Sequence, residues 1–379
     1  MAINSRTSGI SAKLFEMNWF LVVLIFLTGC VGVAMIYSAS GGQWNLGAKQ
    51  HLIRLIFGMV IMLGIAFVDI RVWFTLAYPA YLGALILLIG VEVMGVSVNG
   101  SQRWLDLGFT RFQPSEVMKM AIVMALARFY HDLPQWRVSK PIGIMGAVLI
   151  IFLPVGLILN QPDLGTSLLL AATGVVMIFL AGIRWRVIIT SCIAVVIAIP
   201  LAYKYGLKDY QRQRVLTFLD PESDPTGAGY HIIQSKIALG SGGVNGKGFM
   251  EGTQASLKYV PENSTDFIFT VIGEEFGLMG GLGTMLLYIL IIALCFLLAS
   301  QCKHMFSRLL ILGLTTTFAL YVFINLAMVM GLAPVVGVPL TLISWGGTVM
   351  MTVLAGFGLM FSAHLHRETE LPRGSGLLL

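Results

Sequence analysis

Ile142-Gly-Ile-Met-Gly-Ala-Val-Leu-Ile-Ile-Phe-Leu-Pro-Val-Gly-Leu-Ile-Leu159 carries no charged side chain and no hydroxyl or amide side chain. About 20 such residues are what an α-helix needs to cross a hydrocarbon core about 30 Å thick. Comparable runs recur at Trp19–Ser38, Leu52–Val68, Trp73–Met94, Val117–Tyr130, Leu164–Gly182, Val187–Tyr203, Phe267–Ser300, Leu309–Met330 and Leu340–His364. With 57% apolar and 11% charged residues, the chain reads as an all-α polytopic membrane protein of about ten transmembrane helices. A β-barrel is excluded, because its strands alternate apolar and polar residues whereas these runs are continuous. Val117–Tyr130 is short for a crossing and Phe267–Ser300 is long, and Gly280-Gly281 is where the long one is expected to be interrupted.

Orientation follows from the short loops, since Lys and Arg are retained on the cytoplasmic side. Arg128, Arg137 and Lys140 share one loop, Arg184 and Arg186 the next, and Lys303 and Arg308 a third. The alternate loops carry Asp163 alone or, at Gly331–Pro339, no charge. This predicts one membrane domain over 1–379, with a cytoplasmic N-terminus (1–18), a cytoplasmic tail (365–379) and a large extracytoplasmic loop (204–266) between spans seven and eight. The net charge of +6 is then membrane topology; no basic stripe with interleaved aromatics points to nucleic acid. Cys30, Cys192, Cys295 and Cys302 lack paired metal-ligand spacing and read as small buried residues. Arg6 and Lys13 ahead of an apolar run ending in Ser38-Ala-Ser40 resemble a signal peptide, but the run is too long for one and is read as the first span.

The polar segment from Lys204 to Asp266 holds about a third of all Asp, Glu, Lys and Arg residues. A chain that avoids charge elsewhere has reason to gather it. Arg212 and Arg214 stand just outside a span, followed by the turn signals of Asp220-Pro-Glu-Ser-Asp-Pro-Thr-Gly227. Gly229–Leu239 reads as a short helix lying on the membrane, and Gly240-Ser-Gly-Gly-Val-Asn-Gly-Lys-Gly248 as a tight backbone path near a ligand. Singly, each has a plainer explanation: headgroup contact, surface helix, turn. Asp266, between Ser264-Thr265 and Phe267-Ile-Phe269, stands at the mouth of a span as either a helix cap or a positioned base; its neighbours can cap instead. Glu92, Glu116, Lys119, Asp163, Glu274 and Glu275 lie in or beside spans. Glu116 and Lys119 are one turn apart and can be each other's partner, or can line a cavity with Asp163 and Asp266 that binds a polar ligand.

Gln102-Arg-Trp-Leu-Asp-Leu-Gly108, Phe112-Gln-Pro-Ser-Glu-Val-Met-Lys119, Gln161-Pro-Asp-Leu-Gly-Thr-Ser167, the Asp220–Lys236 run, Pro261–Phe269 with Gly273-Glu-Glu-Phe-Gly277, and Gly337-Val-Pro-Leu340 with Ser344-Trp-Gly-Gly347 resemble, in order, the signatures of the shape, elongation, division and sporulation (SEDS) family. Tyr230-His-Ile-Ile-Gln-Ser-Lys236, Gly246-Lys-Gly248 and His364-Leu-His-Arg367 are similar to its rod-elongation branch more than to its division branch. The resemblance implies a peptidoglycan glycosyltransferase of the bacterial cytoplasmic (inner) membrane. It would polymerise lipid II on the outer face beside a class B penicillin-binding protein, within the cell-elongation machinery. It implies Asp266 as the catalytic residue, and substrate contacts from Trp104, Glu116, Lys119, Asp163, Arg212, Arg214 and Lys236. A divalent cation at the pyrophosphate is compatible, without a ligand set readable from sequence. Two other classes fit many spans with embedded charge: a lipid II flippase and a non-catalytic scaffold for the crosslinking enzyme.

Overall fold

The computed structural model describes residues 10–372 apart from 46, 99–100, 107, 109–110, 162, 188, 191–192, 194–196, 198–208, 225–226 and 254–261. Its helices are α1 (Ile10–Glu16), α2 (Trp19–Ala39), α3 (Ala48–Phe67), α4 (Ile70–Met94), α5 (Pro114–Asp132), α6 (Pro141–Asn160), α7 (Leu164–Leu180), α8 (Asp209–Leu219), α9 (Ala228–Ser241), α10 (Ile268–Ser300), α11 (Met305–Val329) and α12 (Gly347–Leu365). Seven described helices, α2, α3, α4, α6, α10, α11 and α12, are long and apolar enough to cross a membrane. The protein is thus a multi-pass all-α membrane protein. The run expected to cross at 187–203 lies largely outside the described residues.

Between α4 and α5 the chain forms a small antiparallel sheet, β1 (Val96–Val98), β2 (Ser101–Asp106) and β3 (Arg111–Phe112), with β2 in the middle. The α5 helix is buried on nearly every side, as expected of a helix inside a bundle, and packs against α4, α6, α7, α11 and α12. Helices α3 and α12 meet through small residues: a Cβ on Gly58 would come within 2.4 Å of Leu354. Such close approach supplies packing where no hydrophobic drive separates helix from lipid.

Among the described residues two prolines interrupt helices, and each freed carbonyl finds a donor. Pro79 cannot bond Thr75, so Arg128 Nη1 donates to Thr75 O at 3.0 Å and to Phe74 O at 2.8 Å. Pro154 cannot bond Ile150, and Tyr81 Oη donates there at 2.9 Å.

The 33-residue α10 breaks at Gly277 (φ 61°), not at the expected Gly280-Gly281. The reason is the Gly240–Gly248 run, which docks backbone to backbone on the break. Leu278 N donates to Gly243 O at 2.9 Å, Met279 N to Val244 O at 3.2 Å, and Lys247 N to Glu274 O at 3.0 Å. A Cβ on Gly246 would lie 2.1 Å from Glu275 O, so only glycine permits this approach. Glu274 accepts from Lys247 Nζ at 2.6 Å and Thr253 Oγ1 at 3.0 Å, and Glu275 from Ser38 Oγ. The run's close backbone path serves this docking.

Both ends of the described chain meet. Lys13 Nζ lies 2.7 Å from His366 Nε2, and Arg367 pairs with Glu16 at 3.3 Å.

Candidate functional site

The loop 330–346, between α11 and α12, and the turn 262–267, ahead of α10, are stitched together. Asn325 of α11, fully buried, donates from Nδ2 to Asp266 O and to Val338 O, both at 2.7 Å. Trp345 N donates to Ser264 O at 2.9 Å, and Ser344 Oγ to Thr265 O at 2.5 Å. Gly337 (φ 70°) passes so close that its Cβ would lie 3.5 Å from Asp266 Oδ2.

Asp266 itself is half-buried. The N-cap of α10 is Phe267, and no side chain caps it, so the carboxylate is not spent on capping. Among the described residues nothing donates to it. Burial, then the charge of Glu262, raises its pKa from the ordinary carboxylate range to about 6. Glu262 is held by Thr265 Oγ1 at 2.7 Å.

Cations border the same loop. Arg214 of α8 donates to Val335 O at 3.3 Å. Lys236 of α9 lays its stem over Gly331, where a Cβ would come within 2.2 Å of Lys236 Cε, and its surface is exposed. Ser235 anchors α9 to α11 by donating to Val329 O at 2.6 Å. Arg212 is half-buried on α8.

Glu116 and Lys119 do pair, at 2.6 Å. Tyr321 Oη donates to both Glu116 oxygens at 3.1 and 3.3 Å, and Thr352 Oγ1 to one at 3.2 Å. Lys119 Nζ also stands 4.4 Å from the Tyr321 ring centroid, a cation–π contact. They line a cavity of about 30 Å³ with Thr317, Phe318 and Thr352, room for water at most. Asp163 and Asp266 do not line this cavity. Asp163 caps α7 by accepting from Thr166 N at 3.1 Å, accepts from Gln113 Nε2 at 3.4 Å and pairs with Arg103 at 3.6 Å. Trp104 lies beside Arg103 on β2, half-buried and opposite Val96.

Arg214 and Lys236 thus border the loop that passes Asp266 at Gly337; Gly165, two residues after Asp163, packs on Val336 of that loop, and Tyr321, which donates to Glu116, clusters with its Val338. Asn325, Glu262, Tyr321 and Thr352 were not singled out in the sequence. An Asn within an otherwise apolar span was the available signal for Asn325. Among the described residues no three His, Cys, Asp or Glu side chains gather as a metal site.

The model for cell cycle proteins of the FtsW, RodA and SpoVE type matches residues 18–369. The chain belongs to this SEDS family. It is 45% identical over 348 residues to the peptidoglycan glycosyltransferase MrdB of Escherichia coli K12, covering 92% of this chain and 93% of that protein. Identity to the probable peptidoglycan glycosyltransferase FtsW of Trichlorobacter lovleyi is 35% over 361 residues, with 92% and 93% covered. Among solved structures, this SEDS chain is similar to one from a peptidoglycan synthase complex described for coordinating polymerization and crosslinking (TM-score 0.82, 31% identity, 93% of this chain and 99% of that one). It is also similar to the rod-shape-determining protein RodA of Thermus thermophilus (TM-score 0.71, 27% identity, 93% and 98% covered). The higher identity to MrdB than to FtsW matches the rod-elongation features of its sequence.

Proposed function

We propose that this peptidoglycan glycosyltransferase polymerises lipid II with Asp266 as general base. The observation that carries the assignment is a fixed carboxylate without donors among the described residues, its pKa raised to about 6, on a loop bordered by cations. A base works best with a pKa near the working pH. Asp266 takes the proton from the 4-hydroxyl of an acceptor GlcNAc as that oxygen attacks the donor sugar's anomeric carbon. The new glycosidic bond forms with inversion, the bond from the anomeric carbon to pyrophosphate breaks, and undecaprenyl pyrophosphate leaves. Arg212, Arg214 and Lys236 meet the departing charge, for which guanidinium forks and charge-assisted hydrogen bonds are suited. In this reading Glu116, Lys119, Asp163 and Trp104 border the substrate path.

The termini are cytoplasmic and the Asp266 end extracytoplasmic. The basic loops and the meeting of Lys13 with His366, which requires an even number of crossings, support that orientation. The partner is a class B penicillin-binding protein within the elongation machinery, a reading supported by the likeness to a chain of a synthase complex.

The test is the purified chain with its partner and labelled lipid II. Glycan polymer supports the transferase; transbilayer movement without polymer establishes the flippase; neither leaves the scaffold.

A further inference from the structure

Arg54 is a cation that the reading above leaves unused. It lies near the start of α3, half-buried, and among the described residues it makes no ion pair and no hydrogen bond. Its guanidinium stands 5.8 Å from the Trp345 ring centroid. Gly347 leaves it room, since a Cβ there would come 3.0 Å from Arg54 Cζ. A cation inside a membrane span without a counter-charge is costly and marks a ligand path more often than a packing role. The plain alternative is a stem that reaches for phospholipid headgroups. Here the half-buried guanidinium is held beside Trp345, itself 39% exposed, and Gly347, while Lys49 on the same helix is exposed.

The place of Arg54 relative to Asp266 gives it meaning. Trp345 N bonds Ser264 O at 2.9 Å, two residues before Asp266. Along the single loop 330–346, Lys236 lies at Gly331, Arg214 at Val335, Asp266 at Gly337, and Arg54 at Trp345 and Gly347. The loop that passes Asp266 at Gly337 thus leads to Lys236 and Arg214 at its start and to Arg54 at its end. A reaction that joins two lipid-linked glycans brings two pyrophosphates to one base, and both need a counter-charge. The apolar side chains of Ile53, Ile56, Phe57 and Val60 on α3 are exposed, a surface on which a polyprenyl tail can lie.

We propose that Arg54, with Trp345 and Gly347 shaping its surroundings, holds a second lipid pyrophosphate, leaving Arg212, Arg214 and Lys236 to the first. This rests on the reaction proposed above.

The test uses the full chain in nanodiscs of phosphatidylcholine, with and without phosphatidylglycerol, and undecaprenyl pyrophosphate as the probe, read by native mass spectrometry. The parent is expected to take two probe molecules. Arg54→Gln weakens one of them about tenfold or more and spares the other. Arg54→Lys, which keeps the charge but loses the planar fork, falls between, and Lys236→Gln weakens the other molecule. Unchanged probe binding by Arg54→Gln overturns the proposal. So does loss of bound phosphatidylglycerol alone, which assigns Arg54 to a headgroup. If Arg54→Gln melts early, Arg54→Lys decides, its affinity for the probe against a parent-like melting curve. The reaction itself fails separately: parent protein that binds two probes but, with its partner, makes no polymer retains the subsite and refutes the polymerase.

Discussion

Two acids face each other across the function of this protein, and they are partnered in opposite ways. Glu116 is buried at 3% exposure, with its oxygens taken by Lys119, Tyr321 and Thr352. Asp266 is fixed just as firmly, but through its backbone carbonyl, by Asn325, and its carboxylate receives no donor among the described residues. An acid whose lone pairs are occupied holds a structure in place; an acid clamped by its backbone and left open at its oxygens is ready to accept a proton. Glu116 is the more deeply buried of the two, so depth of burial does not by itself mark the group proposed to react.

The sharpest way to break this contrast is Asp266→Asn. Polymerisation of labelled lipid II should fall about 10²–10⁴-fold, the usual contribution of a general base. Stability should not fall with it. The folded-state pKa is raised to about 6, so the folded protein prefers the neutral carboxyl, and any stability from that preference is lost as pH rises through 6. Asn imitates the neutral form, and at neutral pH the variant should melt no lower than the parent. A variant that still polymerises normally removes Asp266 from the chemistry.

Next in size, Glu116→Ala or Lys119→Ala should each cost about 3–5 kcal/mol by leaving a buried charge alone. The paired change Glu116→Gln with Lys119→Gln should cost less, as read from thermal melting in detergent. If all three lose activity equally while melting like the parent, Glu116 touches substrate and the contrast narrows.

Asn325→Leu strips donors from two carbonyls and should cost about 1–3 kcal/mol. Because it loosens the turn that carries Asp266, kcat should drop while KM stays near the parent value. A change confined to KM would place Asn325 in ground-state substrate binding instead.

The smallest effect is the most specific. Glu262 contributes to the raised pKa of Asp266, so Glu262→Gln, which keeps an oxygen for Thr265, should shift the acid limb of the pH–rate profile to lower pH. An unmoved limb would leave desolvation as the whole cause.

The spans were legible because a bilayer imposes a local requirement: each crossing must present about 20 apolar residues by itself. Asp266 stood out as a candidate for a similar reason, as a charge at the border of polar and apolar sequence. The break in α10 was not. Gly277, Gly280 and Gly281 are equally permissive in sequence, and only the docking of the Gly240–Gly248 run selects Gly277. The partners of Asp163 were hidden too: that it caps α7 and pairs with Arg103 depends on contacts that spacing in the sequence does not encode. The small sheet before α5 left no period long enough to read.

By itself, then, the sequence determined the solvent of this protein, its helical class and its family, and singled out Asp266 as the residue proposed for its chemistry, since each rests on residues adjacent along the chain. Tertiary structure alone decided which acid was left without donors and which cations reached its loop. Those outcomes depend on hydrogen bonds between residues far apart in sequence, such as Asn325 with Asp266 and Trp345 with Ser264, and no local pattern encodes a partner at that separation.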